Sequence, residues 1–143
     1  MNKYLSDIGL LIFRIAVGSF LAFGHGLGKL TRSFSGEEIR FMNFIGLGQT
    51  TSFFLAMSAE FFCALLIALG LFTRLNSIPI IITMFVAAFV AHGDDPFSGK
   101  EKSLLFLVSF LLLFFTGPGR YSLQSLFSSK LEKLKSFPKF ILS

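Results

Sequence analysis

The sequence predicts an all-α integral membrane protein: a four-helix bundle with a short interfacial helix and a basic amphipathic C-terminal tail. Three observations predict it. Hydrophobic residues make up 53% of the 143-residue chain and charged residues only 15%, with a mean hydropathy of +0.74. A water-soluble domain of this length needs more polar surface. The charges collect between long apolar runs, and those runs are long enough to be read as membrane spans. With 21 Phe and no Trp, an aromatic belt has to come from Tyr4, Tyr121 and phenylalanines.

The first span is expected over Asp7 to Lys29. Lys3 ahead of an apolar run imitates a signal peptide, but Arg14 interrupts the run and no small-residue cleavage site follows. Next comes the long join from Thr31 to Gln49. Ser35 with Glu38 has capping-box spacing and Gly46 can stop a helix, so an interfacial helix is expected from Gly36 to Ile45. The second span is expected over Thr51 to Phe72 and the third over Ser77 to His92. Pro79 would sit in the third span's first turn, where a missing N–H costs little. The fourth runs from Lys102 to Thr116, ahead of Gly117-Pro118. The last two are short for a hydrocarbon core ~30 Å thick.

Residues 1–122 thus form the bundle and residues 123–143 the tail. Along the tail Leu123, Leu126, Phe127, Leu131 and Leu134 recur at helical spacing, interleaved with Lys130, Lys133 and Lys135. Such a segment suits anionic headgroups, or frays as a basic tail without a specific partner. Four spans put both termini on one side. That side carries Lys3, Arg74, Arg120, Lys130, Lys133, Lys135 and Lys139; the other carries Lys29, Arg32, Arg40, Lys100 and Lys102. The bias places both termini in the cytoplasm of a multi-pass inner-membrane protein. The net charge of +5 fits a tail on acidic lipid, and there is no nucleic-acid module. Cys63 is the only cysteine, which excludes an internal disulfide or a CxxC relay.

Two charges stand inside the spans. Arg14 shares a helical stripe with Gly18, Ala22 and His25. Glu60 shares one with Ala56, Ala64 and Ala68. Small residues mark protein-facing surfaces in membrane bundles, so both charges are expected to point inward. At a rise of ~1.5 Å per residue, Arg14 lies ~10 Å from the cytoplasmic end of its span and Glu60 ~18 Å from the end of its own. A difference of ~8 Å is within side-chain reach. A structural Arg14–Glu60 ion pair is therefore expected, since an unpaired mid-bilayer charge costs ~3 kcal/mol or more. The alternatives are an Arg14 that snorkels beside a protonated Glu60, or a pair that also contacts a ligand.

His25 and His92 fall near the opposite ends of their spans. A polar pocket floored by Arg14 and Glu60 and rimmed by the two histidines is one reading. Interfacial histidines making ordinary hydrogen bonds are another. Axial haem ligation is the weaker option, and no metal site is expected. Asp94 and Asp95 read as a solvated turn.

Across nearly its whole length the chain resembles the DoxX family of small four-span membrane proteins. The likeness rests on LLIFRIAVG and HGLGK in the first span, AEFFCALLIALGLFTR across the second, and GPGRYSL after the fourth. It reaches Arg14, Gly18, His25, Gly26, Lys29, Glu60, Gly70, Arg74, Gly117, Gly119 and Arg120. The family is similar to the membrane subunit of an archaeal thiosulfate:quinone oxidoreductase, and other members resemble membrane partners of oxidant-defence and sulfur-handling enzymes. The resemblance implies a redox-associated membrane subunit; it would bind quinone or a similar carrier in the polar pocket read from the residues, Arg14, His25, Glu60 and His92. A second class is a non-enzymatic anchor or scaffold, whose basic tail holds a cytoplasmic or membrane protein partner. A third is a small transporter, for which four short spans leave little room unless the chain forms a homo-oligomer.

Overall fold

The computed structural model describes residues 3–131. Among them the secondary structure is helical, with no strand. Helix α1 runs unbroken over Lys3–Ser33, α2 over Gln49–Leu69 and α3 over Thr73–Ala91. Helix α4 covers Phe97–Thr116 and α5 covers Leu123–Leu131. The first three are long and apolar enough to cross a membrane. Helix α4 has 20 residues, but Lys100, Glu101 and Lys102 occupy its beginning. Its apolar stretch starts only at Ser103, which gives ~21 Å of rise against a hydrocarbon core of ~30 Å.

The surface is apolar and the interior holds charge. Phe20 is 67% exposed and Phe115 71%, whereas Arg14 is 2% and Glu60 5% exposed. A continuous apolar exterior of this kind matches lipid rather than water. Helices α1 and α2 cross closely because two glycines let them. A Cβ at Gly18 would come 2.7 Å from the Ala64 carbonyl oxygen, and one at Gly26 would come 2.6 Å from that of Glu60. The helices are therefore antiparallel, with Gly18 level with Ala64 to Ala68 and Gly26 level with Glu60. Helix α3 packs on α2 and along most of α4, and α4 touches α1 to close the ring. Leu21, Ala22, Ala64, Ile67, Ile80, Phe110 and Leu113 form the sealed core.

Each of the first three helices contains a π-helical turn: Ala22–Gly26, Ser58–Cys63 and Ala87–Ala91. Such turns insert a residue into the helical register and re-aim the side chains around them. The turns of α1 and α2 pack against each other.

The expected interfacial helix at Gly36 to Ile45 is not formed. The segment is irregular apart from one 3₁₀ turn, Phe44–Gly46. Ser35 turns its hydroxyl back to the Arg32 carbonyl at 2.9 Å, closing α1 instead of capping a new helix. Glu38, the other half of the expected box, pairs with Arg40. Gly36, Ile45 and Gly46 adopt positive φ, which a helix cannot absorb. The segment folds back onto α2. There Phe41 N–H donates to Gln49 Oε1 at 3.2 Å, and Phe44 N–H donates to Ser52 Oγ at 3.0 Å.

Helix α3 starts at Thr73 rather than Ser77, so Pro79 lies inside it. The α2 to α3 connection is a tight one. Gly70, at φ +74, terminates α2, with Leu71 N–H reaching back to the Leu66 carbonyl at 2.9 Å, a Schellman closure. Phe72 takes a left-handed conformation, and its N–H donates to Gln124 Oε1 at 2.8 Å. Gln124 N–H in turn donates to the Gly70 carbonyl at 3.2 Å. The first turn of the expected tail is thus docked on the bundle. Lys133, Leu134, Lys135 and Lys139 lie outside the described residues.

Candidate functional site: an ion pair and two histidines around an apolar cavity

Arg14 is held by backbone carbonyls. Its Nε donates to Ala68 O at 3.4 Å, one terminal nitrogen donates to Pro118 O, and the other donates to Tyr121 O at 3.0 Å. The guanidinium fork thereby ties α1 to the last turn of α2 and to the Gly117–Ser122 connection. Gly70 makes room: a Cβ there would lie 2.8 Å from Arg14 Cζ. Arg74 works nearby in the same manner, its Nε donating to Phe114 O at 3.2 Å near the C-terminal end of α4.

Glu60 does not meet Arg14. Its Oε2 accepts a hydrogen bond from Lys29 Nζ. The expected Arg14–Glu60 pair fails on depth. Glu60 is level with Gly26, twelve residues along α1 from Arg14, which is ~18 Å of helix rather than ~8 Å. Helix α1 extends well beyond the end of α2 at the Arg14 end, so equating the ends of the two spans misplaced one against the other. The Lys29 and Glu60 side chains are 23% and 7% exposed, which makes this a largely desolvated pair. Removing one partner leaves the other charge in an apolar medium.

The pair lies at a cavity of about 470 Å³ between α1, α2, α3, the start of α4 and the loop before α2. Its apolar walls include Leu21, Leu55, Ile82, Met84 and Phe106, and Phe41, Met42 and Phe44 of the loop close one side. Its polar lining comes from His25, Lys29, Glu60, His92 and Lys102, with the hydroxyls of Ser52, Thr83 and Ser103. The His25 ring stands edge-on to Phe106, centroids 5.7 Å apart. His92 Nδ1 is 2.7 Å from Asp95 Oδ2, so Asp95 orients that imidazole. Among the described residues no group of three or more His, Cys, Asp and Glu side chains could hold a metal ion. Size and chemistry fit an amphiphilic ligand: mostly apolar walls with few convergent polar groups.

The structure therefore brings His25, Glu60 and His92 to one cavity and leaves Arg14 elsewhere. Lys29 and Lys102 are the polar residues that sequence reasoning missed as parts of the site. Lys29 was legible: it follows His25 by four residues, so it shares that helix face. The carbonyl cradle was legible only as the glycine-bearing segments around Gly70 and Gly117-Pro118-Gly119, whose role depends on where the chain returns.

A helical bundle with an apolar exterior and an ion pair facing an internal cavity is a membrane protein. The chain belongs to the DoxX family, whose pattern matches residues 9–93. It is 32% identical over 136 residues to "Inner membrane protein YqjF" of Escherichia coli (strain K12), covering 90% of this chain and 98% of that one. It is 30% identical over 90 residues to an "Uncharacterized protein" of Haemophilus influenzae, covering 60% of this chain and 59% of that one. No solved structure matches.

Proposed function

We propose that this DoxX-family protein is a redox-associated membrane subunit that binds a quinone or similar lipid-soluble carrier in its polar intramembrane cavity. The observation that carries the reading is the Lys29–Glu60 pair facing an apolar cavity that His25 and His92 also line. A carrier of this kind has an apolar body for the Leu21, Ile82 and Phe106 walls and ring oxygens for the donors. Lys29 and His25 hold an acceptor oxygen. Glu60 and His92 take or give protons at it, His92 with Asp95 behind its ring. Arg14, included in the site on sequence grounds, acts instead as a fastening between helices.

In the same reading α4 is a fourth span, its charged first turns lying in the interface. Both termini face the cytoplasm across an inner membrane, in keeping with the basic bias and the name of the Escherichia coli relative. The bundle is one unit and the tail from residue 123 another. The test is titration of a decyl-substituted benzoquinone into the purified protein in mild detergent. Saturable binding is expected, weakened roughly 10-fold by Glu60→Gln and by His25→Ala. Lipid extraction with mass spectrometry should find quinone co-purifying from native membrane. Absence of both saturable binding and co-purifying quinone rejects the reading.

A further inference from the structure

The polar groups of the cavity are not balanced. Lys29 and Glu60 satisfy each other, and His92 is engaged with Asp95. Lys102 and His25, both exposed, also line the cavity, and neither has a hydrogen-bonding or ionic partner among the described residues. The neighbouring Lys100 is turned away, donating to the Gly93 carbonyl at 2.9 Å. Lys102 stands four residues before Phe106 on one face of α4, and the His25 ring rests on Phe106. The charged lining amounts to two lysines against one glutamate, contributed by α1, α2 and α4; His92 follows the end of α3, and the loop before α2 adds only Phe41, Met42 and Phe44.

We infer that the cavity accepts a long-chain carboxylic acid, its carboxylate held by Lys102 and His25 and its chain against Leu21, Ile82 and Phe106. A carboxylate supplies two acceptor oxygens for two unengaged donor groups on facing elements, and it cancels the surplus charge. An alcohol of the same length supplies one weaker acceptor, and an amine brings a third cation to the rim. The inference rests on the cavity being a ligand site, and not on the ligand being a quinone.

The experiment measures binding of palmitic acid, hexadecanol and hexadecylamine to the purified full chain in mild detergent, with decyl-benzoquinone as a fourth probe. Palmitate is expected to bind roughly 10- to 100-fold tighter than hexadecanol, the range for a hydrogen bond to a charged group. Hexadecylamine should bind weakest. Lys102→Met should bring palmitate and hexadecanol to equal affinity, while Lys100→Met should leave the preference intact. Equal affinity for acid and alcohol in the wild type overturns the inference. So does a preference that survives Lys102→Met. If decyl-benzoquinone binds under those conditions, the carrier reading stands without this one; if no probe binds, both fall.

Discussion

Arg14 and Glu60 are both nearly sealed from their surroundings, yet the bundle treats them differently at its two ends. Arg14 is neutralised by fixed backbone dipoles: the carbonyls of Ala68, Pro118 and Tyr121. Glu60 is neutralised by one side chain, Lys29, beside an open volume. A planar guanidinium in a carbonyl cradle keeps its charge and its geometry. An ammonium on a flexible stem is a point charge without that fixed fork. The first arrangement locks helices together; the second leaves a charge pair beside open space, where the proposed ligand would sit. The contrast teaches that a buried charge in a membrane bundle is not by itself a sign of chemistry. What matters is whether its partner is backbone or side chain, and whether a cavity adjoins it.

The contrast makes predictions of decreasing size. The largest concerns the cradle. Arg14→Leu leaves the Ala68, Pro118 and Tyr121 carbonyls unpaired in an apolar interior. It is expected to destabilise by about 3–5 kcal/mol, read from thermal unfolding in detergent. Arg14→Lys should recover less than half of that, because an ammonium cannot span the fork. A stable Arg14→Leu protein would mean that the cradle is not a fastening.

The ion pair should cost less to break. Lys29→Met leaves Glu60 buried without its cation, but Glu60 faces a cavity rather than packed side chains. A loss of about 2–3 kcal/mol is expected, and Lys29→Met with Glu60→Leu should restore most of it. If the double variant is no more stable than Lys29→Met alone, the pair is not what compensates Glu60.

Smaller again is the effect of closing the space beside the guanidinium. Gly70→Ala places a Cβ 2.6 Å from Ser122 Cβ at a position with φ +74. It is expected to cost about 1–3 kcal/mol, measured by the same unfolding assay. Gly28→Ala, where a Cβ would meet nothing within 4 Å, is the control and should be neutral.

These residues also mark what could be read from the sequence. The apolar runs defined the helical class, and the long helices lie close to their expected positions because hydrophobic length is a local property. The stripes through Gly18 and Ala64 correctly put both charges inward, since small residues pack where helices meet. The pairing of Arg14 with Glu60 was not legible. It depends on how far α1 slides along α2, and that offset is set by the Gly18 and Gly26 crossings and by the returning Pro118 to Tyr121 segment. The helix expected at Gly36 to Ile45 failed for a related reason. Ser35 and Glu38 had capping spacing, but the Arg32 carbonyl and Arg40 claimed them first. Local side-chain acceptors compete with helix caps, and spacing alone does not decide the winner.

The smallest expected effect is the one that separates the two ends most cleanly. Arg14 and Glu60 lie ~18 Å apart along α1 and share no partner. Double-mutant cycles isolate the energy that two side chains exchange, whatever each contributes alone. For Arg14→Leu with Glu60→Leu the coupling should fall within the ~0.5 kcal/mol scatter of independent sites, although each single change is costly. For Lys29→Met with Glu60→Leu it should stand well above that scatter, at about 1–3 kcal/mol. Both cycles use the same thermal unfolding assay on the same preparation, so detergent effects cancel between them. A substantial Arg14–Glu60 coupling would mean that the ends communicate through the bundle, and the division between a fastening and a proposed ligand site would have to be given up. A vanishing Lys29–Glu60 coupling would instead leave Glu60 without its cation and remove the charge pair from the cavity.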